Sequence, residues 1–486
     1  MKILIYNWTQ DNYKNLRGGG IQKYQQDIIP ELLRRKDIQL TILSSGTPEL
    51  SDFIDPAVRI VRMASVTPRL ERFGIINSPV SAPAINSFGN PFSIISSELS
   101  DVFRDFVMKN KFDVIHFNQF EGLTSEVLNI KQDLPSIRII LSMHDYYILC
   151  PQVNFLYQGQ KLCLDSQLGT KCQSCQPIDH LRFNVKIRRV DHFSRKVIGI
   201  LRLNVTGILA KGIRDLMRSF ARVNQTSDSY KFLENEKIND VFRYWSRFVQ
   251  LINHNVDVVL AVSERVREIA IRQGVNPEIL KVLRLGKKEA LGFRNSPTPR
   301  GPFFDSDGFL TLVFLGYMTI HKGFFFMLEA FERMPIEMSQ RINLVVGAKR
   351  SSNPSDMQRL MNLRQKLKSI VHYNGYTHDQ FDEILKPTSV GILCHLCEDA
   401  FPLTALEMHC RRIPLLTSDL GGAPEISGCQ KMVYSNGNVD AFIDRIRMIF
   451  DGGITHEEYW LKAISPSTVE EHCHHLMQYY RGEDGT

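Results

Sequence analysis

Short apolar runs recur along the chain, each followed by a polar turn and then by apolar residues spaced three and four apart. Residues 2–6 (KILIY), 38–43 (IQLTIL), 58–63 (VRIVRM), 113–117 (DVIHF), 138–143 (RIILSM), 257–262 (DVVLAV) and 280–284 (LKVLR) read as buried strands. Ile21 to Arg35 and Ser263 to Arg272 carry the helical period between them. Strands alternating with helices predict βαβ units and a parallel sheet. A second series follows at 310–315 (LTLVFL), 342–347 (INLVVG), 370–373 (IVHY), 390–394 (VGILC) and 414–417 (PLLT). Helical segments at 322–334, 355–369, 378–385, 402–412 and 439–451 alternate with these strands, and a last amphipathic segment runs over about 467–480.

Between the two series lies 292–308 (GFRNSPTPRGPFFDSDG), polar and rich in Pro and Gly, which reads as a linker. The expected fold is α/β: two doubly wound, Rossmann-like domains over 1–291 and 309–466, facing across a cleft, with a C-terminal helix and tail over 467–486. An insertion over 150–250, Cys-rich and then basic and helical, breaks the first series. Ligands of open α/β sheets sit at the carboxyl ends of the strands, here in the cleft.

Composition narrows the class. With 486 residues, 43% hydrophobic, 23% charged, 30 Gly and 21 Pro, the chain is neither collagen-like nor disordered nor repetitive. It has no run of 18 apolar residues, so no spanning helix is expected. MKILIYNW reads as a first strand and not as a signal peptide, so the protein is expected in the cytoplasm, with the inner face of a membrane as an extension of that location. The net charge is +7, while residues 176–250 alone carry fifteen Lys/Arg against seven Asp/Glu. Basic residues interleaved with Ile, Leu and Phe suit a membrane surface, and an internally packed helical subdomain with a solvated basic face fits equally well. No helix-turn-helix, zinc-finger or RNP signature accompanies the charge, so nucleic acid is not an expected partner.

Candidate chemistry gathers at the predicted strand ends. After strand 310–315 comes GYMTIHKG, which sets Lys322 at a loop-to-helix junction, a place suited to a phosphate. After strand 390–394 comes CEDAFPLTALEM, with Asp399 in the loop before a helix and Glu407 on its second turn. Such carboxylates can accept paired hydrogen bonds from sugar or ribose hydroxyls. The amides around Phe401, Leu403 and Thr404 can meet an anion. Gly421 and Gly422 allow a tight turn, and Glu425 opens another helix. In the first series, Gly18, Gly19 and Gly20 precede a helix, and His144 with Asp145 ends strand 138–143.

These blocks occur in a recognisable order. The Gly-rich first loop, DVIHFN, LSMHD, VVLAVSERVREIAIRQGV, FLGYMTIHKG and DAFPLTALE–IPLLTSDLGGAPEI resemble glycosyltransferase family 4, whose members are retaining, GT-B-fold enzymes using nucleotide-sugar donors. The likeness spans nearly the whole chain except the insertion and residues 64–100. It implies an N-terminal acceptor-side domain, a C-terminal donor-binding domain and a hexosyltransferase-like reaction without a catalytic metal. The implied partners are a UDP- or GDP-sugar and a glycan or lipid-linked acceptor, in surface polysaccharide synthesis. Glu407 takes the ribose diol, Asp399 (where the family usually has Glu) the donor-sugar hydroxyls, and Lys322 the diphosphate. Amides near Gly19, Gly20 and Phe401, Leu403 and Thr404 line diphosphate and sugar, and His144 sits by the anomeric carbon. Three positions depart from the family: Asp399 is one methylene short, with Glu398 next door as a substitute, Tyr317 stands where many members have a phosphate-binding Arg, and Leu285 replaces an Asn. These departures favour an alternative, a catalytically silent GT-B scaffold that binds a partner or a sugar nucleotide.

Nine Cys in a chain of this kind argue against a disulfide framework. Four of them, Cys150, Cys163, Cys172 and Cys175, end in a C-x2-C arm and fit a closed, structural zinc site, with an Fe–S cluster and unliganded or redox thiols as alternatives. Some family members resemble this HDY…CP…C…CxxC arrangement. Cys394 and Cys397 read as small core residues, and the run His472, Cys473, His474, His475 as mostly solvated.

Overall fold

The computed structural model describes residues 1–12, 19–45, 57–78, 80, 82, 96–150, 152–165, 170–175, 237–295, 301–351, 353–377 and 380–483. Residues 176–236, most of the basic insertion, lie outside the described residues, as do Gly18 and the middle of the linker, 296–300.

Among the described residues ten strands precede residue 283: β1 (Lys2–Asn7), β2 (Gln39–Ser45), β3 (Arg59–Thr67), β4 (Leu70–Ile76), β5 (Val114–Phe117), β6 (Arg138–Met143), β7 (Leu156–Tyr157), β8 (Lys161–Leu162), β9 (Val258–Ala261) and β10 (Leu280–Val282). Eight form one sheet in the order β10-β9-β6-β5-β1-β2-β4-β3. All its pairings are parallel except β3 with β4. β1, β5, β6 and β9 are buried on both faces, which is why they read as unbroken apolar runs.

The edge departs from expectation. Residues 58–63 are not a buried parallel strand: β3 is a half-exposed antiparallel edge, paired with β4. β4 (LERFGII) interrupts its apolar residues with Glu71 and Arg72 and therefore carries no simple strand signal. Arg72 is buried there and forms a two-pronged ion pair with Asp11 at 2.8 and 2.6 Å.

The second sheet is fully parallel. β11 (Leu310–Leu315), β12 (Ile342–Gly347), β13 (Ser369–Tyr373), β14 (Val390–Leu393), β15 (Leu415–Ser418) and β16 (Val433–Tyr434) run in the order β13-β12-β11-β14-β15-β16. The helices that carry the site are α1 (Gly19–Leu33), α2 (Glu264–Arg272), α3 (Phe324–Arg333), α4 (Leu403–Cys410), α5 (Ala423–Ser427) and α6 (Val469–Arg481). In both sheets the polypeptide order reverses beside the first strand of the lobe, so each lobe opens a crevice at its strand ends.

The end of the chain returns to its beginning. α6 is held by a capping box at Thr468 and Glu471 and packs on α1 and β6 of the first lobe. Tyr480 bonds His116 at 2.7 Å, and His472 bonds Tyr24 at 2.8 Å and the Arg284 carbonyl at 2.9 Å. The run read as mostly solvated is therefore split by helical period: His472 and Cys473 are buried, whereas His474 and His475 face outward. The linker stretch also has structure, opening in a helix over Ala290–Asn295 and closing with Phe303 buried in the second lobe.

Candidate active site

The second lobe builds its site from two loops that meet over β14. The loop after β11 ends at Gly323, whose φ is +69°; a Cβ there would lie 1.6 Å from the Cys394 carbonyl oxygen. Only glycine lets this loop cross the end of β14, and the crossing delivers Lys322 to the cleft. Its Nζ lies 2.6 Å from Asp399 Oδ2 and 3.3 Å from His395 Nε2. Burial alone would push the Asp399 carboxyl up, but Lys322 first and then His395 hold it down at about 2. Burial likewise opposes the Lys322 charge, yet Asp399 outweighs it and the ammonium is held above its ordinary value. His395, buried beside Lys322, falls to about 3 and His321 to about 4, so both imidazoles are neutral at physiological pH.

The Asp399 loop is clamped by the glycine pair. Gly421 has φ +66°, and a Cβ on it would lie 2.1 Å from the Asp399 carbonyl oxygen. The Gly422 N–H donates to that oxygen at 2.9 Å, and the Gly421 N–H to Glu398 at 2.9 Å. The tight turn read from the sequence thus packs its backbone against this loop. Pro402 precedes the first turn of α4, and Ala405 N–H returns to the Pro402 carbonyl. Phe401 is buried, while Leu403 and Thr404 are half-buried at the seam with the first lobe. Gly20, at the start of α1 beside Gly19, lies against the Leu403 side chain.

Of two further carboxylates, one departs from expectation and the other lies on the second turn of α4 as read. Glu398 does not back up Asp399: it is 1% exposed and bound by Arg265 of α2, so its charge is spent across the lobes. Glu407 is buried on α4 with its Oε1 3.0 Å from Lys287 Nζ, and Lys287 is in turn 3.2 Å from Asp27 of α1. Further contacts complete the seam. Ser263 Oγ donates to the Ala400 carbonyl at 2.9 Å, and Glu425 of α5 accepts from the Glu264 and Arg265 N–H groups at 3.0 and 2.8 Å, capping α2 from the other lobe. These pairs join residues 120 to 260 positions apart, so the local pattern gives little sign of them. The Lys287–Lys288 doublet just after β10 was the one available signal.

The first lobe presents a different face. His144 stacks on Tyr24 with ring centroids 4.6 Å apart, and its buried Nε2 has no partner among the described residues. Burial, reinforced by His116 and His472, holds this imidazole well below its ordinary value, so it is neutral. Burial pushes Asp145 up to about 6 against the pull of the Tyr147 N–H and the Gln119 amide. Asn7 at the end of β1, Thr9, Asn118 just past β5, and Gln25 on α1 are buried with side-chain polar atoms that no group among the described residues bonds. Tyr146 is the same: its hydroxyl has no partner among the described residues, and its phenol lies within the field of Glu398, Arg265 and Asp399 across the seam.

Tyr317, at the position of the missing Arg, is 61% exposed. In the Cys loop all four thiols are free, and the Gln158 N–H donates to Cys175 Sγ at 3.1 Å. Burial pushes Cys150 and Cys172 up to about 12. As placed, no three His, Cys, Asp or Glu side chains among the described residues converge to hold a metal ion. Cys394 and Cys397 are core residues, as read.

Residues 310–451 match the family model described as Glycosyl transferases group 1. No curated protein matches the sequence. Among solved structures, Anabaena Alr3699/HepE in complex with UDP and glucose is similar with a TM-score of 0.53, at 13% identity over 100% of both chains. A glycosyltransferase from Rickettsia africae ESF-5 has a TM-score of 0.54 at 13% identity, over 100% of this chain and 99% of its own. The lipopolysaccharide outer core galactosyltransferase WaaB, in its apo form, has a TM-score of 0.56 at 11% identity, over 99% of this chain and 100% of its own. The chain has the GT-B glycosyltransferase fold. Its C-terminal lobe is a glycosyltransferase domain, and the Lys322–Asp399 pair lies within the matched residues. Among the described residues of this GT-B chain, no helix is long and apolar enough to cross a membrane.

Proposed function

We propose that the chain is a retaining glycosyltransferase that moves a sugar from a nucleoside diphosphate to a hydroxyl of a glycan or lipid-linked acceptor, in surface polysaccharide synthesis. The observation that carries this reading is the half-buried Lys322–Asp399 pair, set at the strand ends beside the first turn of α4 and facing the first-lobe loop 144–147. Breaking the bond from sugar to diphosphate builds negative charge on the departing phosphate. Lys322 and the Leu403 and Thr404 amides supply cation and dipoles for it. Asp399, ionised throughout the physiological range, accepts from donor-sugar hydroxyls. Glu407 takes the ribose diol. The neutral His144 donates or accepts a hydrogen bond beside the anomeric carbon and carries no charge of its own. The unbonded amides and hydroxyls of Asn7, Thr9, Gln25, Asn118 and Tyr146 suit an acceptor rich in hydroxyl groups.

One structure of HepE is in complex with UDP and glucose; for this chain a UDP- or GDP-sugar is the reading. A thermal-shift panel of nucleoside diphosphates and their sugars tests it, since a ligand of the native state raises stability by mass action. The donor should raise Tm, and Lys322→Ala should abolish the rise; a panel with no shift at all would sink the reading. Product with inverted anomeric configuration would overturn retention. Tyr317 favours one second reading, a binding-only scaffold, because a phenol brings no positive charge to the leaving group. Nucleotide binding with neither transfer nor donor hydrolysis would select it.

The four-Cys loop is proposed to hold a structural zinc. Four thiols match zinc in kind and number, although their placement does not close a cage, and no step of the reaction uses the metal. Native mass spectrometry should show one zinc per chain.

A further inference from the structure

Glu407 belongs to the second lobe, but the cation that faces it belongs to the first. Lys287 follows β10, and its side chain is 2% exposed, lodged between Glu407 at 3.0 Å and Asp27 at 3.2 Å. Its backbone is fixed where the chain passes between lobes: the Lys287 N–H donates to the Ser467 carbonyl at 2.9 Å. Asp27 has further cations at the rim, Lys23 at 3.1 Å and the exposed Lys288 at 3.7 Å. Lys287 is therefore not required to neutralise Asp27, and the carboxylate it serves is Glu407.

Such a pair is poor value as a fastener. Burying an ammonium and a carboxylate costs several kcal/mol, and apolar residues of the same size commonly stabilise as well or better. What a buried ion pair does supply is direction, because a carboxylate held by a fixed cation has one orientation. Asp27 lies on α1, whose first residues Gly19 and Gly20 reach the Leu403 turn of α4. One contact network thus joins the glycine loop, the inter-lobe passage and the helix that bears Glu407.

We propose that Lys287 is a positioning residue for the donor: reaching from the first lobe, it orients the Glu407 carboxylate so that the donor ribose is gripped only when the two lobes are together. This rests on the donor-site reading given above. The ribose hydroxyls are then recognised by a second-lobe carboxylate whose geometry is set by the first lobe, which links nucleotide binding to closure of the cleft.

The test compares the full chain with Lys287→Met by calorimetry, using UDP, GDP and ADP beside their 2′,3′-dideoxy counterparts. The wild type should prefer the ribonucleotide by about tenfold or more, the value of hydrogen bonds to a charged group. Lys287→Met should lose that preference, with dideoxynucleotide affinity unchanged within about twofold, and Lys287→Arg should restore part of it. A purely structural role would lower both affinities together, and that result overturns the proposal, as does a preference that survives in Lys287→Met. If Lys287→Met does not fold, Lys287→Gln is read in the same way. A wild type that binds none of the diphosphates defeats the donor-site reading itself. A wild type that binds but ignores the ribose hydroxyls removes Glu407 from its role, and Lys287 with it.

Discussion

The two lobes share a parallel core, differ at one antiparallel edge, and arm their strand ends in opposite ways. In the second lobe the groups over β14 are charged and already paired, Lys322 with Asp399 beside neutral His395. In the first lobe the corresponding ends of β1 and β5 carry Asn7 and Asn118, whose neutral side chains have no partner among the described residues. The contrast is clearest in two carboxyls on opposite sides of the seam. Asp399 is driven down to about 2 by a lysine, whereas Asp145, offered only amides, is driven up to about 6 by burial. The lesson is one of solvation: a charged strand end suits an anionic tail, and a neutral polar one suits a ligand made of hydroxyls.

The largest effect that could break this contrast is on rate. Lys322→Ala should lower transfer by ~10²–10³-fold, the usual loss for one stabilising donor at a developing anion, with the far-UV spectrum unchanged. An equal loss in a mutant of an exposed lysine such as Lys288 would show that general charge, and not this site, is responsible. Next comes pH. Asp399 has a folded pKa below its unfolded one, so its contribution is present above about pH 4 and is lost as pH falls toward 2, roughly 2 kcal/mol in all. Asp145 has the opposite sign: its folded pKa is raised, so stability is greatest below pH 4 and declines as pH rises through about 6. Urea unfolding across this range should therefore show Asp145→Asn flattening the decline between pH 4 and 6. Asp399→Asn should differ from the wild type less at pH 2 than at pH 5. The same slope in both variants would erase the distinction between the lobes.

The smallest effect is also the most diagnostic of an empty binding surface. An unbonded buried amide costs about 1–3 kcal/mol. Gln25→Met, of similar length, should recover ~1 kcal/mol or more and raise Tm by about 2 °C or more while transfer to the acceptor falls. A lowered Tm would show that Gln25 serves the fold.

Much of this was legible beforehand, for a physical reason. Strands buried on both faces must be apolar throughout, so β1, β6, β11 and β12 stand out within a few residues of their ends. Lys322 and Asp399 were legible because a short loop after a strand has few places to put its side chains. β4 was missed because Arg72 points inward to Asp11, and a buried ion pair looks like a surface in the sequence. Glu398, one residue from Asp399, was given the wrong side because nothing local reveals that Arg265 waits across the seam.

What the sequence determined by itself is therefore the two-lobed α/β frame and the identity of the second-lobe charges, since both follow from hydrophobic period and from spacing along one loop. The tertiary structure decided the rest. It turned His472 inward on α6, spent Glu398 and Glu425 on binding the lobes together, and set Lys287 between Asp27 and Glu407. Each of these depends on a partner more than a hundred residues away along the chain, and the distance between two such groups is set only when the lobes pack.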